Sequence, residues 1–325
     1  MATDVLYTDG VIAAREKYLL KDKLVKLCES GPEDALRAVT ESGFGKGTEI
    51  VSVYDYEKLV AADEAAIDAF ILEYSPSEAE KTYLLAPRDF HNLKALLKAQ
   101  YTGADVGKML APQGIIPLRV LEQCVKNNDF SQLADELKEA AQQAAALFAD
   151  ADGTFVSGAE IGALFEKAQY KYLARLCKRK PLLKKLLSAR ADMTNILTAL
   201  RSPDKETAEK FYLDGGKLPH NLLGEIFSED SGRAESCLDG TAYADFYKKC
   251  LDDRREGLPH TAAERETENY EVRFFAAKKY ELVRNQPFLY YVFRRRAENA
   301  DVRILFVCLL AGMKDYEIKA RLRSV

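Results

Sequence analysis

The sequence predicts an all-α fold built from three similar helical units. Of its 325 residues, 47% are hydrophobic and 30% are charged, which suits helices with one buried and one solvated face. Ala, Leu, Glu and Lys dominate, whereas alternating β-branched runs are scarce, and exceptions such as 50–53 are too short to outweigh their helical context. One apolar motif also recurs three times at helical spacing, so the units are expected to resemble one another.

The repeated motif begins at Asp89, Asp192 and Asp301. Its copies are mostly apolar at the first, fourth, seventh and eighth positions after the aspartate, which is the spacing of one helix face. Because Asp is favoured immediately before a helix, we interpret each aspartate as an N-cap. The Asp and Asn residues of the motif are therefore expected to cap and pack helices and not to act in catalysis.

A second repeated element, Gly-x-x-Pro, follows the first two copies at 114–117 and 216–219. After each proline, apolar residues recur at the third, fourth, seventh and eighth positions. We expect the glycine to end one helix and the proline to start the next, as these residues commonly do. In the third copy Gly312 is followed by Asp315 in place of proline, and Asp315 is expected to cap the last helix.

The third copy is shorter than the others, and the N-terminal segment holds the helical patterns that it lacks, at 24–28 and 35–39. We therefore expect a unit divided between the two ends of the sequence and a body with pseudo-threefold symmetry. The expected units are 1–55 with 269–325, 56–158, and 159–268. Long helices are predicted over 135–148, 160–177 and 264–283, with connectors at 149–154 and 258–261.

Residue patterns for catalysis, cofactors or metals are absent from the sequence. The six cysteines form no C-x-x-C pair, which favours reduced core thiols. Segment 43–48 lacks phosphate-loop spacing and is expected to be a helix end with a loop, and 150–160 has Gly and Glu misplaced for a calcium loop. His91 and His220 are placed in the first turns of helices, and these two and His260 are expected to be surface or cap residues. The sequence thus predicts no enzyme, no cofactor and no metal.

Positive charge is concentrated in two segments, although the net charge of −4 argues against nucleic acid as a partner of the whole protein. Segment 167–190 contains nine basic residues and no acidic one, and Arg294–Arg296 forms a second cluster. A solvated helix face is the usual explanation of such runs, but their segregation favours docking on an acidic partner or near anionic headgroups. The predicted partner-contact residues are Lys171, Arg175, Lys178, Arg179, Lys180, Arg294, Arg295 and Arg296.

Membrane insertion is not expected, because no run of 18 apolar residues occurs and the strongest, Ile304–Leu310, has only the length of a buried helix segment. A peripheral position against a membrane complex is compatible with this pattern.

Several stretches together resemble the C subunits of archaeal and bacterial V/A-type ATPases, whose eukaryotic counterpart is the d subunit of the V-ATPase. They span nearly the whole chain and differ from the family pattern at Ser42-Gly43-Phe44, at Asp315 and at 178–180. The stretches are Tyr7 with Ala13-Ala14-Arg15-Glu16-Lys17-Tyr18-Leu19-Leu20; Glu33-Asp34-Ala35-Leu36 with Thr40; Asp89 and Asn92-Leu93-Lys94 with Gly114 and Pro117; Glu268-Asn269-Tyr270; Gln286-Pro287-Phe288; and Glu298-Asn299-Ala300-Asp301-Val302-Arg303-Ile304 with Gly312.

The resemblance implies an all-α, three-domain, funnel-shaped protein without an active site. It further implies a peripheral place on the cytoplasmic side of the membrane, where the protein caps the rotor ring of proteolipid subunits and receives the central shaft subunits of D and F type. The alternative hypothesis is a soluble helical-repeat scaffold, RNA-associated through its basic patch. An all-α enzyme has no support from the residues.

Overall fold

The computed structural model describes residues 5–16, 20, 23–112, 114–150, 156–255, 261–276 and 286–323. Within these residues the regular elements are helical and no strand occurs, so the all-α prediction is confirmed. The chain divides into two compact units, unit 1 (Met1–Lys81 with Pro259–Val325) and unit 2 (Thr82–Leu258). The finer division into three similar units stays a prediction.

The α-helices are numbered in chain order, and the short 3-10 turns between them carry no labels. They are α1 Val5–Glu16, α2 Lys23–Leu27, α3 Pro32–Glu41, α4 Tyr56–Tyr74, α5 Glu78–Thr102, α6 Leu118–Asn127, α7 Asp135–Asp150, α8 Gly158–Leu176, α9 Pro181–Arg201, α10 Lys205–Phe211, α11 His220–Gly224, α12 Ser231–Ser236, α13 Ala244–Arg255, α14 Thr261–Ala276, α15 Gln286–Leu310 and α16 Asp315–Lys319.

Unit 1 is organised around α15, which packs against α1, α4 and α14. Residues of α15 are buried on nearly every side, which explains why its sequence shows no single apolar stripe. One core joins residues from distant parts of the chain, with Leu24 and Val39 packed in the same cluster as Phe306 and Ile318. Segments before residue 82 and after residue 258 therefore stabilise each other by burying a common apolar surface.

Unit 2 has a core formed by α5, α6, α7 and α8, and a second group in which α9 packs against α10, α11 and α13. Helix α7 lies along α8, with Ala140, Ala141 and Ala144 of α7 fully buried. Such small side chains allow two helix backbones to approach closely. The predicted helices over 135–148 and 160–177 are confirmed to within a few residues by α7 and α8.

The interpretation of the repeated aspartates as N-caps is wrong. Asp89 and Asp192 lie inside α5 and α9, and Asp301 lies inside α15. The carboxylate of Asp89 instead accepts hydrogen bonds from the backbone N–H groups of Ile115 and Ile116, at 3.0 and 3.1 Å. These donors lie in the loop that leads into α6, so the aspartate satisfies unpaired donors of another segment and not of its own helix.

The second copy repeats this arrangement, since Asp192 accepts from the N–H groups of Lys217 and Leu218 at 2.7 and 2.9 Å, just before α11. An asparagine one turn later completes both copies. The side chain of Asn195 exchanges two hydrogen bonds with the backbone of Leu213, at 2.7 and 2.9 Å, and Asn92 does the same with Ala111.

The third copy differs in its partner. Asp301 accepts from the backbone N–H and the guanidinium of Arg323, both at 3.0 Å, and Ile304 replaces the asparagine. The Arg323 Nε also donates to Glu268 of α14 at 2.5 Å. Arg323 therefore clasps α14 and α15 together. The cap of α16 comes from Glu317, which accepts from the N–H of Lys314 at 2.9 Å, and not from Asp315 as expected.

Segment 43–48 forms a loop after α3, as predicted, with positive φ values of 87°, 60° and 90° at Gly43, Gly45 and Gly47. His91 lies well inside α5, so its placement in a first turn is wrong, whereas His220 does begin α11. The residues 151–155 of the calcium-like segment, residue 260 and the part of the predicted helix beyond 276 lie outside the described residues.

Candidate functional site

The basic segment 167–190 lies in unit 2, where it runs from α8 through a 3-10 turn, Cys177–Arg179, into α9. Lys167, Lys171 and Arg175 are four residues apart and therefore share one face of α8. They line a groove of about 670 Å³ between α7 and α8, together with Lys178 and Lys184. We call this cavity the α7–α8 groove.

Acidic residues of α7 hold two of these cations in place. Arg175 makes a two-pronged ion pair with Glu136, at 2.7 Å from Nε to Oε1 and 2.9 Å from Nη2 to Oε2, and its guanidinium lies 5.3 Å from the ring centre of Tyr172. This pairing raises the pKa of Arg175 and lowers the pKa of Glu136. Lys171 contacts Glu139 at 3.3 Å, and because both side chains are more than half exposed this pair contributes little.

The rim of the groove carries exposed cations. Lys178 and Lys184 are exposed, and neither has an ion-pair partner within the described residues. Arg179 is also exposed, in the turn after α8. Lys180 is half-buried and occupies the position before α9, with Pro181 at the first helical position. The structure thus brings Lys171, Arg175 and Lys178 to one groove and places Arg179 and Lys180 beside it.

Small and apolar residues also line the groove, while Glu136, Glu139 and Asp214 add acidic groups to the lining. The apolar lining residues are Ala140, Leu164, Ala168, Tyr170 and Ala174. The two glutamates of α7 were not identified from the sequence. Their spacing of three residues on one helix face was the available signal, but nothing local connects them to a segment more than 30 residues later.

The second basic cluster lies inside α15, and its three arginines are half-buried. The side chain of Arg295 is only 11% exposed and pairs with both Asp63 of α4 and Glu298. It also lies 5.5 Å from the ring centre of Phe44, while Glu298 accepts from the N–H of Leu20 at 2.6 Å. Arg295 is therefore an internal link between separate segments of unit 1.

Charge in this internal cluster does not balance, because two carboxylates face one guanidinium. Burial raises the pKa of Asp63 to about 6 despite the attraction of Arg295. Arg294 and Arg296 flank Arg295 on the same helix. The assignment of these three arginines to partner contacts stays a prediction, and for Arg295 it competes with the internal ion pairs.

Metal-binding and redox groups give no further site. Among the described residues no cluster of three His, Cys, Asp or Glu side chains is placed to hold a metal ion. Five of the six cysteines are buried free thiols, as predicted, and Cys237 is half-buried.

Membrane-spanning character is not found among the described helices, since none of them combines the length and the apolar composition that a bilayer crossing requires.

Comparison with known proteins identifies the family. Residues 9–321 match the family described as ATP synthase (C/AC39) subunit. The chain is 21% identical over 332 residues to the C subunit of the V-type sodium ATPase of Enterococcus hirae, an alignment that covers 97% of each chain. It is 25% identical over 250 residues to the C subunit of the V-type ATP synthase of Thermus thermophilus, covering 75% of this chain and 77% of that one. Because the family match extends over nearly the whole sequence, the chain belongs to the ATP synthase (C/AC39) subunit family.

Proposed function

We propose that this chain is the central-rotor subunit of a V/A-type rotary ATPase, where it caps the proteolipid ring and receives the central shaft of D- and F-type subunits. It is a structural subunit and not an enzyme. The observation that carries the proposal is the family match over residues 9–321, together with a full-length relative in a V-type sodium ATPase. Its place is peripheral, on the cytoplasmic face of the membrane complex.

Mechanical stiffness supports this role, because a subunit that transmits torque must resist shear between its helices. Unit 1 has α15 packed on nearly all sides, with the Arg295 cluster linking it to α4 and the Arg323 clasp linking it to α14. Close-packed interiors have low compressibility and transmit strain, so such cross-links convert local force into motion of the whole unit.

Polar contacts suit the second requirement of the role, which is to join a ring and a shaft of different symmetry. The attraction between exposed charges falls only gradually with distance, whereas an apolar contact requires close shape complementarity. We assign the exposed cations Lys171, Lys178 and Arg179, with Arg175 held by Glu136, to these contacts. The division into three similar units with pseudo-threefold symmetry belongs to the same proposal.

Reconstitution tests the proposal directly. The full chain is added to membranes that hold the proteolipid ring but lack this subunit, together with purified shaft subunits and the ATP-hydrolysing head. We expect the chain to bind the ring, to recruit the shaft and to restore ATP-driven ion transport. Binding to neither ring nor shaft would overturn the proposal, and retention of RNA in place of these partners would favour the helical-repeat scaffold.

Charge reversal tests the contact residues. The double variant Lys178→Glu, Arg179→Glu should bind the ring or the shaft more weakly than the unaltered chain does. The loss should be greater at low salt, where screening is weakest. The matched control, Lys46→Glu with Lys126→Glu, reverses two other exposed lysines and changes the net charge equally. Unchanged binding of the first variant at low salt would remove these residues from the contact surface.

A further inference from the structure

The α7–α8 groove has the dimensions of a receptor for one helix. A helix with its side chains is about 10 Å wide and rises 5.4 Å per turn, so that one turn occupies roughly 400 Å³. The groove volume of about 670 Å³ is therefore of the order of one to two helical turns, which suits a helix that lies partly in the groove. Ala168 and Ala174 in its lining leave space for the backbone of an incoming helix.

The basic residues that line the groove favour a helix that carries negative charge. The cations Lys167, Lys171 and Arg175 follow one another along α8 over a rise of about 12 Å, and Lys178 follows them in the turn after the helix. Lys178 has no ion-pair partner in the described part of the chain, and the Lys171–Glu139 pair is exposed and easily exchanged. Carboxylates spaced four residues apart on a helix lie about 6 Å from one another and would match this row.

The acidic lining of the groove argues against nucleic acid as its occupant. Glu136, Glu139 and Asp214 interrupt the positive surface that a continuous row of phosphates would need, whereas the glutamates of a helix can lie opposite the cations alone. An extended peptide is disfavoured as well, because the described residues include no strand edge to pair with its backbone. A helix satisfies its own backbone hydrogen bonds and presents separated charges.

We infer that the α7–α8 groove is the docking site for an acidic amphipathic helix of a partner subunit, with the basic row that ends at Lys178, and Lys184 beside it, meeting its carboxylates and the alanines of the lining accepting its apolar face. Arg175 is fixed in advance by Glu136, which reduces the entropy lost when the partner binds. The inference rests on the proposed function only in taking the partner to be a neighbouring subunit of the complex.

A synthetic helix tests the groove in isolation from the complex. The probe is a fluorescein-labelled peptide of about 18 residues, a length that sustains an isolated helix, made of Ala and Leu with Glu at every fourth position. Its binding to the full chain is followed by fluorescence anisotropy at low salt. We expect Lys178→Glu with Lys184→Glu to weaken binding by about tenfold, because two attractions become repulsions. Ala174→Trp, which fills the groove without changing charge, should weaken binding to a similar degree.

Two controls distinguish binding of the probe in the groove from non-specific electrostatic attraction to the protein. The variant Lys46→Glu with Lys126→Glu carries the same net charge change and should bind the probe within about twofold of the unaltered chain. A peptide with Lys in place of each Glu should not bind. Equal weakening by both double variants, or binding that Ala174→Trp leaves unchanged, would overturn the inference. Circular dichroism melting of each variant verifies that it is folded.

The outcome for the groove is distinguishable from the outcome for the proposed function. If the unaltered chain assembles with ring and shaft while the groove variants bind the probe normally, the groove inference fails and the proposed function stands. If the probe binds through the groove but the unaltered chain joins neither ring nor shaft, the proposed function fails and the docking site stands with a different partner.

Discussion

Asp89 and Gly114 lie so close together that a β-carbon on Gly114 would be 2.2 Å from Oδ1 of Asp89. The second copy has the same relationship, with 2.3 Å between a β-carbon on Gly216 and Oδ1 of Asp192. The glycine of each Gly-x-x-Pro element is thus required by the aspartate of the preceding motif. The two repeated elements of the sequence therefore act together. The aspartate inside one helix accepts hydrogen bonds from the loop that leads into a later helix, and the glycine leaves space for its carboxylate.

Alanine at Gly114 or at Gly216 should therefore destabilise unit 2, by about 2–4 kcal/mol in the free energy of unfolding. The added methyl group displaces the loop, and the buried carboxylate loses hydrogen bonds to backbone N–H groups. Urea denaturation followed by circular dichroism measures the change. Gly162→Ala is the matched control, because Gly162 lies in α8 with open space around it and should be unchanged or stabilised by up to about 1 kcal/mol. Equal stability of Gly114→Ala and Gly162→Ala would contradict this account.

Arg295→Met should destabilise unit 1 by about 3–5 kcal/mol, because it leaves the carboxylates of Asp63 and Glu298 buried without a cation. Arg303→Met is the control on the same helix. Arg303 is 42% exposed and pairs with Glu57 and Glu64, so its loss should change stability by less than about 1 kcal/mol. Thermal and urea unfolding of both variants measure the difference. Adding Asp63→Asn to Arg295→Met should restore part of the loss, and a further loss in that double variant would refute the charge argument.

The stability of unit 2 should depend on pH through Asp89, since burial raises the pKa of Asp89 to about 6. Between about pH 4 and pH 6 the folded state then binds more protons than the unfolded state, whose aspartates have a pKa of about 3.9. The contribution of Asp89 to the free energy of unfolding is therefore fully present below this window. It is lost as the pH rises through the window, and the loss is at most about 3 kcal/mol. Urea midpoints measured across the window should fall less steeply with rising pH in Asp89→Asn than in the unaltered chain. Parallel curves for the two proteins would exclude Asp89 as the source.

Two tyrosines should respond oppositely to loss of the hydroxyl. The hydroxyl of Tyr243 donates to Oδ2 of Asp192 at 2.8 Å, so Tyr243→Phe should lower the free energy of unfolding by about 1–2 kcal/mol. The hydroxyl of Tyr212 is buried and has no hydrogen-bond partner within the described residues, so Tyr212→Phe should be neutral or stabilising by up to about 1 kcal/mol. Equilibrium unfolding in urea compares the two variants, and a loss at Tyr212 as large as the loss at Tyr243 would reject the assignment.

Sequence periodicity predicted the helices well because a helix face is encoded locally. The bounds expected for α7 and α8 differ from the observed ones by only a few residues. The same local reasoning failed for Asp89 and Asp192, since an aspartate before apolar residues fits an N-cap equally well. Their donors lie 25–27 residues further along the chain, and only the tertiary fold brings them into reach.

The basic clusters show a similar limit. Charge alone located the segment around Arg175, but the carboxylate that holds it, Glu136, lies on a different helix. In the second cluster the sequence gives no reason to separate three consecutive arginines. Successive residues on a helix point about 100° apart, and this rotation directs Arg295 toward Asp63.

The discontinuity of unit 1 has a consequence for synthesis of the protein. Its core joins residues such as Leu24 and Val39 with Phe306 and Ile318, and the clasp on Asp301 needs Arg323. A ribosome must therefore translate all of unit 2, residues 82–258, before the first helices of unit 1 meet α14, α15 and α16. Since domains generally fold as units during translation, we expect unit 2 to become protease-resistant on stalled ribosomes while residues 5–81 are still cleaved. Resistance of both segments at that stage would contradict this order. In the expected order, the N-terminal helices are made before unit 2 but become protease-resistant after it.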